Sequence, residues 1–285
     1  MVCACRYQRA EKNPSAFSSK KKAETPKVPF YGIPDNRNME VELLEATANP
    51  EEVICSAARN DYMSAFVGDQ SFEEVMATVE GETLDDRKET LIGHLLKQGH
   101  FGPFEHAQAT FAVKGISRSC MAQITRHRHA SFDIQSMRYV SFDDVDPEAV
   151  AEGEMVVTPP SANDPNWVGR NQKGGAVDEE TVEKREEIFR RSVKRSVEDY
   201  QELLDLGMPP EDARFVLPIG TEVNMVFSVN ARMLMHIADM RAAADAQWEI
   251  REMTEEILDL AGEWCPITFE YYESEMKNRK NRLAP

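Results

Sequence analysis

Apolar and polar positions along this chain follow two periods, and each change of period marks an element. Met39-Glu-Val-Glu-Leu-Leu44 opens as a strand. Ala107 to Lys114 suits a second strand, and Thr221 to Val229 a third, with Val223, Met225 and Phe227 alternating on one face. Pro50-Glu51-Glu52 starts a helix towards Arg59, because Pro fits the first turn. Thr90 to Gln98 places Leu91, Ile92, Leu95 and Leu96 on one side, and Gly99 suits the left-handed residue that ends a helix. Ser117 predicts an N-cap for a helix over Arg118 to His127, and Asn230 one for Ala231 to Arg241. A long charged helix is predicted over Glu179 to Leu206, ended by Pro209 and Pro210, and a last one over Ala246 to Glu263. Gly99 to His106 and the Asn/Pro/Gly-rich stretch Ser161 to Gly175 read as loops, and Arg138 to Phe142 as extended chain. Helices and strands mix without βαβ regularity. The expected class is α+β, with a central antiparallel sheet in a single catalytic domain.

Composition bounds the domain and its partners. Residues 1–38 carry Lys20-Lys21-Lys22, scattered Pro and Ser and no apolar period, and read as a disordered basic tail ahead of a domain over 39–285. No apolar run approaches the ~18–20 residues of a membrane span, and the N-terminus lacks the apolar stretch of a secretory signal. A cytoplasmic protein without a membrane partner is expected. Lys and Arg total 33 against 50 Asp and Glu, a net charge of -17, which argues against wholesale nucleic-acid binding. The excess acid reads either as an ordinary self-repelling surface or as a halophile's, where salt screens the repulsion. The five cysteines, Cys3, Cys5, Cys55, Cys120 and Cys265, form no CxxC pair, and no HExxH occurs. Reduced thiols and no metal are expected.

The densest polar cluster is Arg126-His127-Arg128-His129-Ala130-Ser131, continuing through Gln135, Ser136, Arg138 and Tyr139. Adjacent cations repel, so this run needs water or a counter-anion. A solvated basic turn is one reading, and a phosphate-bearing ligand held by bidentate arginines is the other. Arg232 and His236 stand i and i+4 on one helix, with Arg241 further along it. Taken singly, His236 reads as a half-buried satisfied histidine, His100 and His106 as residues ordering a Gly-Pro loop, and Arg214 as paired with Asp212 or a distant Glu.

Together these segments carry a longer pattern. RHRxxS at Arg126 to Ser131, followed by SxRY at Ser136 to Tyr139, resembles the signature of the flavin-dependent thymidylate synthases. Gly115-Ile-Ser-Arg118 leading to Gln123, Arg214-Phe-Val-Leu-Pro218, Asn230-Ala-Arg232, Met240-Arg241-Ala242 and Ala246-Gln-Trp-Glu-Ile250 match in family order. The resemblance covers most of Met39 to Glu273, apart from the loop over Glu154 to Gly175. It implies reductive methylation of dUMP to dTMP with bound FAD, NADPH as reductant and 5,10-methylenetetrahydrofolate as one-carbon donor, in a homotetramer with FAD sites at subunit interfaces. It implies FAD contacts for Arg126 and His127, with Arg128 and Ser131 helping to hold loop and cofactor. Asn230, Arg232 and His236 would flank the flavin ring, and His100 would lie near it on the folate side. Gln123, Ser136, Met137 through its backbone, Arg138 and Arg214 would bind dUMP. Arg241 would bind and activate the uracil. Two positions depart from the pattern: Ile134 stands where relatives often carry an acid or amide, and Asp61 where a small hydroxyl residue often follows.

Overall fold

A computed structural model describes residues 39–139, 141–167 and 176–277. The tail read as disordered and residues 168–175 of the long loop lie outside the described residues. Among the described residues four strands form one antiparallel sheet in the order β1-β2-β4-β3. They are β1 (Glu40–Ala46), β2 (Gln108–Ser117), β3 (Ala130–Ile134) and β4 (Glu222–Asn230). The helices that matter for the site are α1 (Pro50–Asn60), α2 (Leu84–Gln98), α3 (Arg118–Ile124), α4 (Glu179–Asp205), α5 (Ala231–Arg241), α6 (Trp248–Trp264) and α7 (Pro266–Tyr271).

Alternation decides which sheet face is buried. Ala109, Phe111 and Val113 of β2 and Val223, Met225, Phe227 and Val229 of β4 point to one side, and all are buried. Phe227 stacks at 5.3 Å on Phe111 and at 5.8 Å on Phe132, which ties three strands into one aromatic layer. Ile54 of α1, Ile92 of α2, Leu234 and Ile237 of α5 and Ile250 and Ile257 of α6 complete this core. A second, smaller cluster forms where Val193, Val197 and Tyr200 of α4 meet Met137, Phe142, Val156 and Ala213.

Caps bear out much of the reading from sequence. Gly99 adopts φ 75 after α2, where a Cβ would be strained. Ser117 accepts from the Cys120 amide, and Asn230 Oδ1 accepts from the Met233 amide at 2.8 Å. α2 begins earlier than its apolar stripe suggests, because Thr83 and Asp86 form a capping box. Two readings are corrected and one strand is added. α3 ends at Ile124 rather than His127, since the His127 amide closes a tighter turn onto the Ile124 carbonyl at 3.1 Å. Residues 130–134, with Ser131 and Asp133 alternating outward, form an edge strand on β4. The segment from Arg138 is not extended: the Tyr139 amide donates to the Ser136 carbonyl at 3.2 Å and makes a turn.

The charge excess shows on α4, where Lys184–Glu180 (2.5 Å), Arg190–Glu186 (2.8 Å), Arg191–Glu187 (3.3 Å) and Arg195–Asp199 (3.2 Å) pair at i,i+4. Exposed pairs of this kind contribute only about 0.3–0.5 kcal/mol each and weaken in salt. Screening of the net -17 therefore dominates the salt response. The thermal unfolding midpoint should rise between about 0.1 and 1 M KCl, as the Debye length falls from about 10 to about 3 Å. A midpoint that falls over that range would contradict a salt-adapted surface.

Candidate active site

α3 starts at the sheet and runs to the base of the Arg126-His127-Arg128 segment, while α5 starts at Asn230 on β4 and ends at Arg241. The two helix ends meet. Arg241 Nε donates to His127 Nε2 at 2.9 Å, and Arg241 Nη2 donates to the Gln123 carbonyl at 3.0 Å. His236, one turn earlier on α5, sets its ring edge-on to His127 at 5.9 Å and 78°. Gln123, His127, His236 and Arg241 thus come from three separate motifs into one cluster, with Arg126 close enough that its charge acts on both His127 and Arg241.

Electrostatics fixes the protonation of this cluster. His127 is 5% exposed. Burial first, then the charges of Arg241, His236 and Arg126, push its pKa down to about 4. A neutral imidazole has one acceptor nitrogen, and Nε2 must be that nitrogen because Arg241 donates to it. The proton then sits on Nδ1. Burial, then the Arg126 charge, also lower the pKa of Arg241. An arginine stays protonated regardless, so the cluster is a net cation that favours an electron-rich partner.

The His127 shift has a consequence for stability. The ordinary value is 6.5 and the folded value about 4, so between these the unfolded chain takes up a proton that the folded chain refuses. The contribution is whole above pH 6.5 and falls as the pH drops towards 4, by at most about 3 kcal/mol. Denaturant unfolding at pH 7 and pH 5 should show a smaller loss for His127→Gln than for the parent. Equal losses would contradict a buried neutral histidine.

A second cationic group gathers on the smaller core. Met137 is buried there, which anchors the turn, while the Arg138 and Tyr139 side chains are exposed. Arg138 reaches Glu211 at 3.9 Å and lies 6.0 Å from the Tyr139 ring centroid, while its amide donates to Ser136 Oγ at 3.3 Å. Arg214 Nε donates to the Glu211 carbonyl at 3.0 Å, rather than to the Asp212 or Glu side chain expected from the sequence. Arg118, at the start of α3, donates from Nη2 to the Gln135 carbonyl at 3.5 Å, and its buried Nε has no hydrogen-bond partner among the described residues. Burial, then the charge of Arg214, lower its pKa. Arg118 stands in the Gly115-Ile-Ser-Arg118 motif, whose spacing alone assigns it no role. Its place just after the cap Ser117, one turn before Gln123, was the available signal.

The remaining candidates sit around α5. Arg232 is ion-paired to Glu105, which ties α5 to the loop after α2. His100 is exposed on that loop, with its amide closing α2 onto the Leu95 carbonyl at 2.9 Å. Arg126 and Arg128 are exposed. Ile134 packs at the edge of the main core, and Asp61 follows α1 as an exposed C-cap. A cleft of about 580 Å³ lies elsewhere, on the outer sheet face among Glu42, Ala112, Lys114, Asp133, Asn224 and Val226. None of the candidate arginines or histidines lines it, so the chemistry does not follow that cleft. Among the described residues no group of three His, Cys, Asp or Glu could hold a metal ion, and no helix is long and apolar enough to cross a membrane.

The chain is similar to known proteins in sequence and in fold. Residues 42–267 match the family described as thymidylate synthase complementing protein. The chain is similar to the flavin-dependent thymidylate synthase of Haloarcula marismortui, with 74% identity over 87% of this chain and 100% of that protein. The enzyme of the same name from Halobacterium salinarum is 71% identical over the same shares. Among solved structures, the UMP/dUMP methylase PolB from Streptomyces cacaoi bound with 5-Br dUMP aligns with a TM-score of 0.66 and 26% identity, over 84% of this chain and 96% of that one.

Proposed function

We propose, starting from the fact that this chain belongs to the flavin-dependent thymidylate synthase family, that it methylates dUMP to dTMP with a bound FAD, 5,10-methylenetetrahydrofolate as one-carbon donor and NADPH as reductant. The observation that carries this reading is the meeting of Gln123, His127 and Arg241 through two hydrogen bonds from one guanidinium.

The donor set fits a flavin. Asn230 commits Oδ1 to its helix cap, so its amide NH2 is the group that can donate to a ring carbonyl. Arg126, Arg128, Arg232 and His236 are further cationic or imidazole donors, and His100 lies on the loop tied to α5. When bound, the flavin supplies the hydride. The protein's own residues bind and orient. Arg118, Arg138 and Arg214 supply guanidinium forks for the nucleotide phosphate, with Ser136 as a hydroxyl donor and the Met137 backbone held by its buried side chain. The Arg118 Nε, unpartnered among the described residues, supports this, because a buried donor favours a ligand that can accept from it. Gln123 and Arg241 address the uracil, where the guanidinium stabilises negative charge as it develops on the ring. Neutral His127 accepts from Arg241 Nε and so fixes the fork's orientation. Assembly as a homotetramer with flavin sites at subunit interfaces belongs to the same proposal.

No thiol takes part in this scheme. Cys120 and Cys265 are fully buried. Burial, helped by the Glu249 charge at Cys120 and the Glu51 charge at Cys265, pushes both thiol pKa values far up, away from a nucleophilic thiolate. Cys120→Ala and Cys265→Ala should each keep dTMP formation within about tenfold of the parent, a barrier change of about 1.4 kcal/mol. A folded, FAD-loaded Cys120→Ala protein that binds dUMP but makes no dTMP would overturn the scheme.

Calorimetric titration of dUMP and UMP into the FAD-loaded protein tests the substrate. The reading expects dUMP to bind. Retention of FAD with no dUMP binding would sink it, and binding of UMP alone would move the substrate to the ribonucleotide named for PolB.

A further inference from the structure

α3 is held at both ends by opposite charges. At its C-terminal end, Arg241 donates to the Gln123 carbonyl. At its N-terminal end stands Glu249, a carboxylate only 3% exposed, from the first turn of α6. Glu249 Oε1 accepts from the Ser117 amide at 2.6 Å, and Oε2 from the Ser117 hydroxyl at 2.5 Å. That second bond aims the hydroxyl proton at Glu249 and leaves a lone pair for the Cys120 amide, which donates to Ser117 Oγ at 3.0 Å. The next two amides are taken by the chain leading into β4: Arg118 donates to the Thr221 carbonyl at 3.0 Å and Ser119 to the Ile219 carbonyl at 3.1 Å. The carboxylate and the guanidinium each lie at the helix end whose partial charge they oppose. Gln247, two residues before Glu249, accepts from the Glu249 and Ile250 amides and so fixes the carboxylate's own helix.

We propose that Glu249 is a positioning residue for the nucleotide site: through Ser117 it sets where α3 lies, and with it Arg118, Gln123, Arg126 and His127. The inference rests on the proposed function for its nucleotide, though not for its geometry. α3 has only seven residues, so its own hydrogen bonds leave it little rigidity. Its ends therefore decide its place. A shift of about 1 Å in such a scaffold is enough to lower turnover by about 100-fold. The Ser117 hydroxyl and Glu249 share one hydrogen bond, so losing both should cost less than the sum of losing each.

The test uses Glu249→Ala, Glu249→Gln, Ser117→Ala and the double variant Ser117→Ala/Glu249→Ala, all full-length, FAD-loaded and in molar KCl. Hydrogen exchange of amides 118–127 is read without nucleotide, and dUMP affinity and turnover beside it. Glu249→Ala should speed exchange over 118–127 selectively and weaken dUMP binding about tenfold or more. The double variant should lose less than the sum of the two single variants, and Glu249→Gln, which keeps an acceptor for the Ser117 amide, should recover most of the affinity. A folded Glu249→Ala protein with parental exchange over 118–127 overturns the inference whether or not dUMP is the substrate. So does additive loss in the double variant. Should Glu249→Ala fail to fold, Ser117→Ala with parental exchange and affinity overturns it instead. A parent that binds no dUMP while Glu249→Ala still loosens 118–127 sinks the substrate reading and leaves the positioning role standing.

Discussion

An Arg241→Ala protein should lose about 10²–10³-fold in kcat while it keeps its flavin, the loss expected when one fixed donor to a developing anion is removed. The guanidinium is half-buried and already oriented by His127 and the Gln123 carbonyl, so it needs little reorganisation to meet the uracil. Arg241→Lys should recover little. An ammonium cannot donate in two fixed directions from one plane, and its point charge would leave either His127 or Gln123 without its partner. Both variants are measured by steady-state dTMP formation alongside the visible spectrum. An Arg241→Ala protein within tenfold of the parent would remove Arg241 from the chemistry.

Arg138→Ala and Arg214→Ala should each weaken dUMP binding by about 1.5–3 kcal/mol, roughly 10- to 150-fold, with FAD affinity nearly unchanged. The selectivity follows from placement. Both arginines stand beside the smaller core, around Glu211, while the Arg126-His127 segment and Asn230 stand on the main core. Glu211 softens the effect at Arg138 very little, since that pair is long at 3.9 Å and half-exposed, where an ion pair is worth little. Titration of each ligand into each variant separates the cases. Equal losses for FAD and dUMP would mean that the two cationic groups are one site, or that the variants misfold.

The sheet was legible where one face is wet. Val223, Met225 and Phe227 alternate cleanly because β4 is half-buried, and Asn230 and Ser117 revealed the helix starts because a cap needs their side-chain chemistry. β3 was hidden inside the motif. Ala130 to Ile134 is five residues at a sheet edge, too short for a period to stand out against the charges before it. The turn at Ser136 to Tyr139 was missed for a tertiary reason: Met137 is drawn into the core built on α4, which bends a segment that propensity alone would leave extended. The candidate site was legible as motifs and not as geometry. Nothing in the spacing of Gln123, His127 and Arg241 states that Arg241 donates to both of the others, because that contact joins residues 114 or more positions apart. Glu249 was visible only as a letter in Gln-Trp-Glu. Its bond to Ser117 spans 132 positions, and a buried carboxylate shows itself only once the fold has removed it from water.

The central claim is that dTMP arises here through a bound flavin and without a protein thiol. It is tested most directly by one assay, in which purified apoprotein is given dUMP, methylenetetrahydrofolate and NADPH, and dTMP is quantified as FAD is added in steps. The account predicts a yellow protein that takes up FAD in stoichiometric amount, with dTMP formation rising in proportion to the FAD bound and absent without it. A folded protein that takes up no FAD, or one that makes dTMP at the same rate without it, would contradict the account.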